Sequence, residues 1–197
     1  MKSPYPPDVS KWPAVTERLL KSFPVSMDEL VNVVLASWED IFHSRIGQKQ
    51  FQIGTDIWPE PQIMGFLLHE LIPLNLEASH PAIWRRGRAA TECDAVHVPD
   101  DSKSFEIKTS SSRGGIFGNR SYAHVSTVAG KRRGSFFLAI NFGKFAPGMA
   151  RPEIALIRFG WLEAGDWIGQ RAESGQQSRL TREAKAYKLK IVYEASK

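Results

Sequence analysis

The first third of the chain carries apolar residues at helical spacing. Three segments show this pattern, and they are residues 13–22, 26–45 and 62–72. Ser26 and Glu29 form a capping box at the start of the second helix, which is expected to end near Gly47. Pro73 is expected to stop the third helix, because a proline disfavours helical geometry in the residue before it.

Short apolar and β-branched segments, bounded by glycine, proline and polar residues, predict strands in the rest of the chain. These segments are residues 93–98, 105–109, 135–141, 153–159 and 187–193. No internal repeat or low-complexity linker separates them. A chain of 197 residues can bury one core, so we expect a single α/β domain over residues 1–197. Its N-terminal part (1–50) is expected to be helical, and the rest (51–197) is expected to carry the functional residues.

The first two predicted strands are joined by the polar loop 99–103, which indicates a β-hairpin. Antiparallel pairing across this loop places Asp94 opposite Lys108, about 5 Å apart at Cβ. Val96 then lies opposite Glu106. Because the side chains of a strand alternate between its faces, Asp94, Glu106 and Lys108 share one face of the hairpin.

Two carboxylates and an ammonium on one face have a use in phosphate-ester hydrolysis. Carboxylate oxygens bind a hard cation such as Mg²⁺, which polarises a phosphoryl oxygen and activates a water molecule. The Lys108 ammonium can stabilise charge on the phosphate, or orient or deprotonate the water. The alternative is an ordinary solvent-facing hairpin, whose Asp–Lys pair contributes under about 1 kcal/mol.

The distribution of charge favours a nucleic-acid partner. The net charge is +5 and the sequence pI is about 9.4. Between Ser102 and Pro152, Glu106 is the only acidic residue. The basic residues of that stretch are Lys103, Lys108, Arg113, Arg120, Lys131, Arg132, Arg133, Lys144 and Arg151. Such a block suits a phosphate backbone, and a merely solvated basic face is the alternative.

The composition excludes several other classes of protein. Cys93 is the only cysteine, so an internal disulfide is excluded, and we expect a small buried thiol. Neither a long apolar segment nor a secretory signal is present, which predicts a cytoplasmic protein with no membrane partner. The histidines lack zinc-binding spacing, and the absence of a Walker motif predicts no nucleotide cofactor.

Asp94, the hairpin and segment 106–108 (Glu-Ile-Lys) together resemble the PD-(D/E)XK motif, which many restriction endonucleases and some repair nucleases share. This motif is short and degenerate. One departure is that Cys93, and not proline, precedes Asp94. A literal Pro-Asp occurs at 99–100, but it falls in the loop that must reverse the chain, at the hairpin tip. Asp94 is therefore the preferred candidate.

The resemblance implies a catalytic set and a metal site. Asp94, Glu106 and Lys108 would be catalytic, and Asp94, Glu106 and Ile107 would hold Mg²⁺, for which Mn²⁺ can substitute. In many nucleases of this superfamily, a glutamate from a preceding helix supplements the metal site, and Glu70 fits that role. Helical spacing puts Glu70 on an apolar face, where burial is expected. The alternative is an ion pair between Glu70 and His69, Arg85 or another surface group.

The chain as a whole resembles the ScaI-type restriction endonucleases over residues 53–180. The matching segments are residues 54–56 (Gly-Thr-Asp), the hairpin with its Asp, Glu and Lys, 118–121 (Gly-Asn-Arg-Ser), 165–167 (Gly-Asp-Trp) and 175–179 (Gly-Gln-Gln-Ser-Arg). The resemblance implies a restriction-endonuclease-like core, in which helices flank a central mixed β-sheet with a catalytic β-hairpin. It also implies a homodimer that cleaves double-stranded DNA at a short palindrome with Mg²⁺, and a two-fold protein suits a palindrome by symmetry.

Polar and basic residues outside the hairpin are candidates for DNA contacts, because their side chains bind base edges or phosphates. They are Arg113, Asn119, Arg120, Lys131, Arg132, Arg133, Gln176, Gln177 and Arg179. Two other functions stay open: a repair or junction-specific nuclease of the same fold, and a non-catalytic DNA-binding module.

Overall fold

The computed structural model of the protein describes residues 2–123, 134–146, 151–170 and 176–196. Its α-helices are α1 (Trp12–Lys21), α2 (Met27–His43) and α3 (Pro61–Ser79). Ser26 caps α2 by accepting a hydrogen bond from the Glu29 N–H, as the sequence predicts. α2 ends at His43, slightly before the predicted end. Among the described residues, no helix is long and apolar enough to cross a membrane.

α3 is longer than predicted, because it continues through Pro73 to Ser79. Proline removes one helical N–H and leaves the carbonyl of His69 without its usual donor. However, Ile72, Pro73 and Leu76 are all buried. The prediction that Pro73 stops the helix was wrong, since the packing of this apolar face stabilises the helix beyond the proline.

A six-stranded sheet is the centre of the fold, with the strand order β1-β2-β3-β5-β6-β9. Its strands are β1 (Trp84–Arg86), β2 (Ala95–His97), β3 (Phe105–Ser110), β5 (Gly134–Phe142), β6 (Ile154–Glu163) and β9 (Leu189–Glu194). Among the strands that the structure describes in this sheet, only β3 and β5 are parallel neighbours. The predicted mixed α/β architecture is therefore confirmed.

The two faces of the main sheet contact different cores. On β3, Phe105 and Ile107 belong to the large core beneath α1, α2 and α3. Glu106 and Lys108 alternate with them, so they face the opposite side. On that side, Phe137 of β5 belongs to a smaller core. The alternation that fills the large core therefore puts the charged residues of β3 on the other face.

A second sheet, with the strand order β4-β8-β7, lies over this other face. Its strands are β4 (Phe117–Asn119), β7 (Trp167–Gly169) and β8 (Gln177–Leu180). Trp167 packs against Phe137 of the main sheet, with ring centroids 5.6 Å apart. The Gly-Asn-Arg-Ser segment (118–121) forms the end of β4 and the start of a 3₁₀ turn (Arg120–Ala123).

Candidate active site

The predicted hairpin is present as β2 and β3, but its register differs from the prediction. Ala95 pairs with Phe105. Continuing this register by one residue places Asp94 beside Glu106, so the predicted pairing of Asp94 with Lys108 was wrong by two residues. The connection is longer than a simple turn, because it contains the 3₁₀ turn Asp101–Lys103.

A shift by two residues preserves the face on which each side chain lies. Asp94, Glu106 and Lys108 therefore still converge, as the alternation predicts. Cys93 is buried, with its Sγ 3.2 Å from the Ser135 Oγ, which confirms the predicted buried thiol.

Asp94 is held by two neighbours that contact the same carboxylate oxygen. Its Oδ2 accepts a hydrogen bond of 2.7 Å from the Ile107 N–H. The same oxygen lies 3.4 Å from the Nδ1 of His69 on α3. α3 approaches β3 closely because residue 65 is glycine: a Cβ there would lie 2.5 Å from the Thr109 Oγ1. This close packing brings His69 to the hairpin.

Lys108 and Glu106 form a second set of contacts on the same face. The Lys108 Nζ donates to the Ile107 carbonyl at 2.9 Å and to the Glu106 Oε2 at 3.4 Å. The hydroxyl of Tyr122 donates to the same Glu106 oxygen at 3.1 Å. The Lys108 side chain is only 14% exposed, so its charge lies in a largely desolvated environment.

These contacts shift the ionisation of the site in different directions. Burial raises the pKa of Glu106, and Lys108 only partly opposes this effect. Burial also acts on Asp94, but His69 and Lys108 outweigh it and lower the Asp94 pKa. For Lys108, burial is outweighed by Tyr122, Glu106 and Asp94, so its pKa is raised. The site therefore combines an ionised Asp94, a more easily protonated Glu106 and a cationic lysine.

A cavity of about 360 Å³ opens beside these residues. It is lined by residues from α3, the hairpin and the small sheet, among them Glu70, Asp94, Glu106, Asn119, Tyr122 and Trp167. Asp94, Glu106 and Glu70, together with the predicted DNA contact Asn119, therefore share one cavity.

Glu70 lines this cavity, and it also has an ion-pair partner. Its Oε1 accepts a hydrogen bond of 2.7 Å from the Arg86 Nη2. The expectation that Glu70 lies on a buried face was wrong, because Ile63 and Phe66 on that face are 52% and 59% exposed. The predicted alternative, a pair with a surface group, is present, while a role of Glu70 at a metal stays a prediction.

The oxygen atoms at this site fit a divalent cation. Asp94 and Glu106 supply neighbouring carboxylates, and the Ile107 carbonyl points to the same side, where the Lys108 Nζ reaches it. Mg²⁺ takes only one or two protein carboxylates and keeps several waters. In the ranges that the structure describes, no three His, Cys, Asp or Glu side chains cluster as metal ligands, so a cation here would keep water ligands.

Two of the segments predicted to contact DNA come together in the small sheet. Asn119 of β4 lies opposite Gln177 of β8, and Phe117 lies opposite Arg179. Asn119, Gln177 and Arg179 are all exposed. Gln176 is also exposed, directly before β8. Residues far apart in the sequence therefore form one polar surface.

The other predicted contacts have separate locations. Arg113 is exposed in the loop after β3, and the buried Asn141 supports this loop by donating to the Ser112 and Gly115 carbonyls, both at 2.9 Å. The Arg120 N–H donates to the Gln176 carbonyl at 2.7 Å, which joins β4 to β8. The basic cluster predicted at Lys131, Arg132 and Arg133 lies outside the described residues.

Two residues at the cavity were missed at the level of sequence. They are His69, which has no zinc-binding spacing to another histidine, and Tyr122. The position of His69 next to Glu70 was the one available signal, because adjacent helical residues can reach neighbouring parts of a site. No sequence pattern links Tyr122 to Glu106.

Comparison with known proteins gives a consistent result. A family model described as ScaI restriction endonuclease matches residues 3–193. The type II restriction enzyme ScaI of Streptomyces caespitosus is 48% identical over 175 residues, which cover 88% of this chain and 76% of that enzyme. No solved structure matches the chain. The chain therefore belongs to the ScaI restriction endonuclease family and is a restriction endonuclease of type II.

Proposed function

We propose that this protein uses Mg²⁺ to cleave both strands of DNA at a short palindromic site, with the active-site plan of the PD-(D/E)XK nucleases. The observation that carries the proposal is the convergence on the β2–β3 hairpin. Asp94 and Glu106 lie side by side, and the Lys108 Nζ lies 3.4 Å from Glu106. Cleavage of this kind serves restriction of foreign DNA.

Asp94, Glu106 and the Ile107 carbonyl are the groups that would hold the metal ion, with Glu70 in the same cavity. When bound, the ion supplies Lewis acidity at a phosphoryl oxygen and lowers the pKa of a water molecule. The Ile107 N–H and His69 both contact the Asp94 Oδ2, so this carboxylate is fixed in one orientation. A fixed carboxylate places a cation accurately relative to the scissile phosphate.

Lys108 is assigned the stabilisation of negative charge. Its raised pKa keeps the ammonium protonated at neutral pH. Hydrogen bonds to the Ile107 carbonyl and to Glu106 fix its position before DNA binds. A preorganised cation favours the phosphate as charge develops in the transition state.

The exposed face of the small sheet is proposed to read base edges. Two rows of side chains cross this face, Phe117, Arg179 and Ile168 in one and Asn119, Gln177 and Gln170 in the other. Arginine binds guanine edges, asparagine and glutamine bind adenine edges, and apolar side chains contact the thymine methyl. The major groove admits two paired β-strands, and β4 and β8, which carry Asn119, Gln177 and Arg179, are such a pair. Arg113, Arg120, Gln176 and the basic residues at 131–133 are proposed to add backbone or base contacts.

A homodimer follows from the proposed palindrome. A two-fold symmetric site is read by a two-fold symmetric protein, so each protomer would cut one strand.

The experiment is a digestion of plasmid and phage DNA by the purified protein, with Mg²⁺ and with a chelator. We expect discrete fragments with Mg²⁺ only, whose mapped ends share one short palindrome. Asp94→Asn protein, purified in parallel, excludes a contaminating nuclease.

Other outcomes of this digestion would replace the proposal. A smear indicates a nonspecific nuclease. Intact plasmid combined with cutting of branched DNA indicates a junction or repair enzyme. Retarded but uncut DNA, released by salt, indicates a binding module.

A further inference from the structure

Tyr122 lies where the small sheet meets the proposed catalytic residues. It belongs to the 3₁₀ turn Arg120–Ala123, which directly follows β4. Its hydroxyl donates to the Glu106 Oε2 at 3.1 Å, and its ring centroid is 5.0 Å from the Lys108 Nζ. Tyr122 therefore contacts Glu106 and Lys108, two of the three proposed catalytic side chains. It also lies only three residues after the end of β4, a strand of the small sheet that is proposed to read bases.

The ring of Tyr122 is packed between the two sheets. Its centroid is 5.3 Å from that of Trp167 on β7 and 5.7 Å from that of Phe137 on β5. Gly118 makes this packing possible, because a Cβ there would lie 2.9 Å from the Trp167 ring and 3.0 Å from the Tyr122 ring. A shift of β4 or β7 relative to the main sheet would therefore change the packing of the Tyr122 ring.

The hydroxyl acts as a hydrogen-bond donor at neutral pH. Burial raises the pKa of Tyr122 to about 12, although Lys108 opposes this effect. The Tyr122 hydroxyl and the Lys108 Nζ both contact the Glu106 Oε2. Together they fix the rotation of this carboxylate and leave its Oε1 outside these two contacts.

We propose that Tyr122 is a positioning residue that links the seating of the small sheet on DNA to the orientation of Glu106. This inference rests on the proposed function. When the side chains of the small sheet, such as Asn119 and Arg179, contact the correct bases, β4 and Trp167 are fixed against the main sheet. The Tyr122 hydroxyl then keeps its hydrogen bond to Glu106. With an incorrect base, the small sheet does not reach this position on the DNA, and Glu106 loses the hydrogen bond from Tyr122. Tyr122 thus makes cleavage depend on recognition.

The test is Tyr122→Phe, which keeps the ring contacts and removes only the hydroxyl. Tyr187→Phe, at a tyrosine that is 43% exposed, is the matched control. Single-turnover cleavage is measured on a duplex with the mapped site and on duplexes with one base pair changed. DNA affinity is measured without Mg²⁺, and thermal unfolding verifies the fold.

We expect Tyr122→Phe to slow cleavage of the correct site by about 10- to 100-fold, which is the scale of a hydrogen bond to a charged group. DNA affinity should change by less than about 2-fold, as for a substitution that removes no DNA contact. Cleavage of the altered sites should fall less, so the ratio of the two rates falls. Tyr187→Phe should match the wild-type protein.

Two results would overturn the inference while the proposed function stands: an unchanged rate on the correct site, or an equal loss on correct and altered sites. An equal loss would mean that Tyr122 supports Glu106 without any link to recognition. If the wild-type protein cuts no DNA, the proposed function fails, and this inference fails with it.

Discussion

Asp94 and Asp100 belong to the same hairpin, but their carboxylates have different partners. Asp94 lines the cavity and accepts a hydrogen bond from the Ile107 N–H. Asp100 is exposed and accepts from the Ser102 N–H at 3.0 Å, which caps the 3₁₀ turn of the loop. These contacts support Asp94 as the proposed metal ligand and give Asp100 a structural role.

Asp94→Asn is expected to slow cleavage by at least about 100-fold, because it removes the charge that attracts the cation. Asp100→Asn should change the rate by less than about 2-fold, because the amide oxygen still caps the turn. Initial rates of plasmid cleavage at saturating Mg²⁺ distinguish the two variants. A loss confined to Asp100→Asn would show that the literal Pro-Asp of the loop provides the metal ligand.

Glu92 provides a pH-dependent contribution to stability next to the cavity. Hydrogen bonds from Arg85 and from the Arg88 N–H lower the pKa of Glu92 from 4.5 to about 2. Because the folded pKa is the lower one, this stabilisation is present above the ordinary pKa and is lost as the pH falls towards about 2. Urea unfolding of Glu92→Gln should show a deficit against wild type that shrinks over this interval. A deficit that is independent of pH would contradict this assignment.

At the scale of elements, the hairpin shows which features a sequence can predict. Alternation placed Asp94, Glu106 and Lys108 on one face, and a shift of two residues does not change that face. The partner of Asp94 was predicted wrongly, because the register depends on the 3₁₀ turn Asp101–Lys103, which the polar loop did not reveal. The face was therefore predictable and the pairing was not.

Tertiary packing explains the other differences between the sequence-based predictions and the structure. α3 continues past Pro73 because its apolar face is buried. The strands of the small sheet have only three or four residues, and a segment of that length has no distinctive periodicity. His69 and Tyr122 reach the cavity through the packing of α3 and of β4, which no local pattern encodes.

The main sheet depends on a close approach of β6 to the helical turn (Ala184–Lys188) that leads into β9. A Cβ at Gly160 would lie 1.9 Å from the Lys188 carbonyl oxygen, whereas nothing lies within 4 Å of a Cβ at Gly165. Gly160→Ala should therefore destabilise the protein by about 1–3 kcal/mol, and Gly165→Ala should cost less than about 0.5 kcal/mol. Urea unfolding measures both values. Equal values for the two variants would contradict the close approach.

The proposed reading face predicts base-specific effects. Arg179→Ala and Gln177→Ala should each lower discrimination at a base pair by about 1–3 kcal/mol, at different positions of the site. Cleavage of a set of duplexes, each with one base pair changed, measures this. Gln50→Ala, at an exposed glutamine outside the small sheet, is the control. If both variants keep the wild-type preference at every position, the small sheet does not read the bases.

At the scale of the whole molecule, the two sheets divide the proposed functions. The main sheet and its helices share one large core, which includes Ala95, Phe105 and Ile107 of the hairpin. The small sheet packs on the opposite face and presents polar side chains to solvent. The net charge of +5 adds a general attraction for phosphate, which salt weakens. Binding and cleavage are therefore expected to be separable by mutation.

Lys108→Ala tests this account most directly, with Lys11→Ala, an exposed lysine paired with Asp8, as the control. Cleavage of plasmid with Mg²⁺ and salt-dependent DNA binding are measured on the same preparations. We expect Lys108→Ala to cut at least about 100-fold more slowly, because the fixed cation is lost, while it still binds DNA and releases it with salt. Lys11→Ala should cut at the wild-type rate. Cleavage by Lys108→Ala at the wild-type rate would contradict the mechanism.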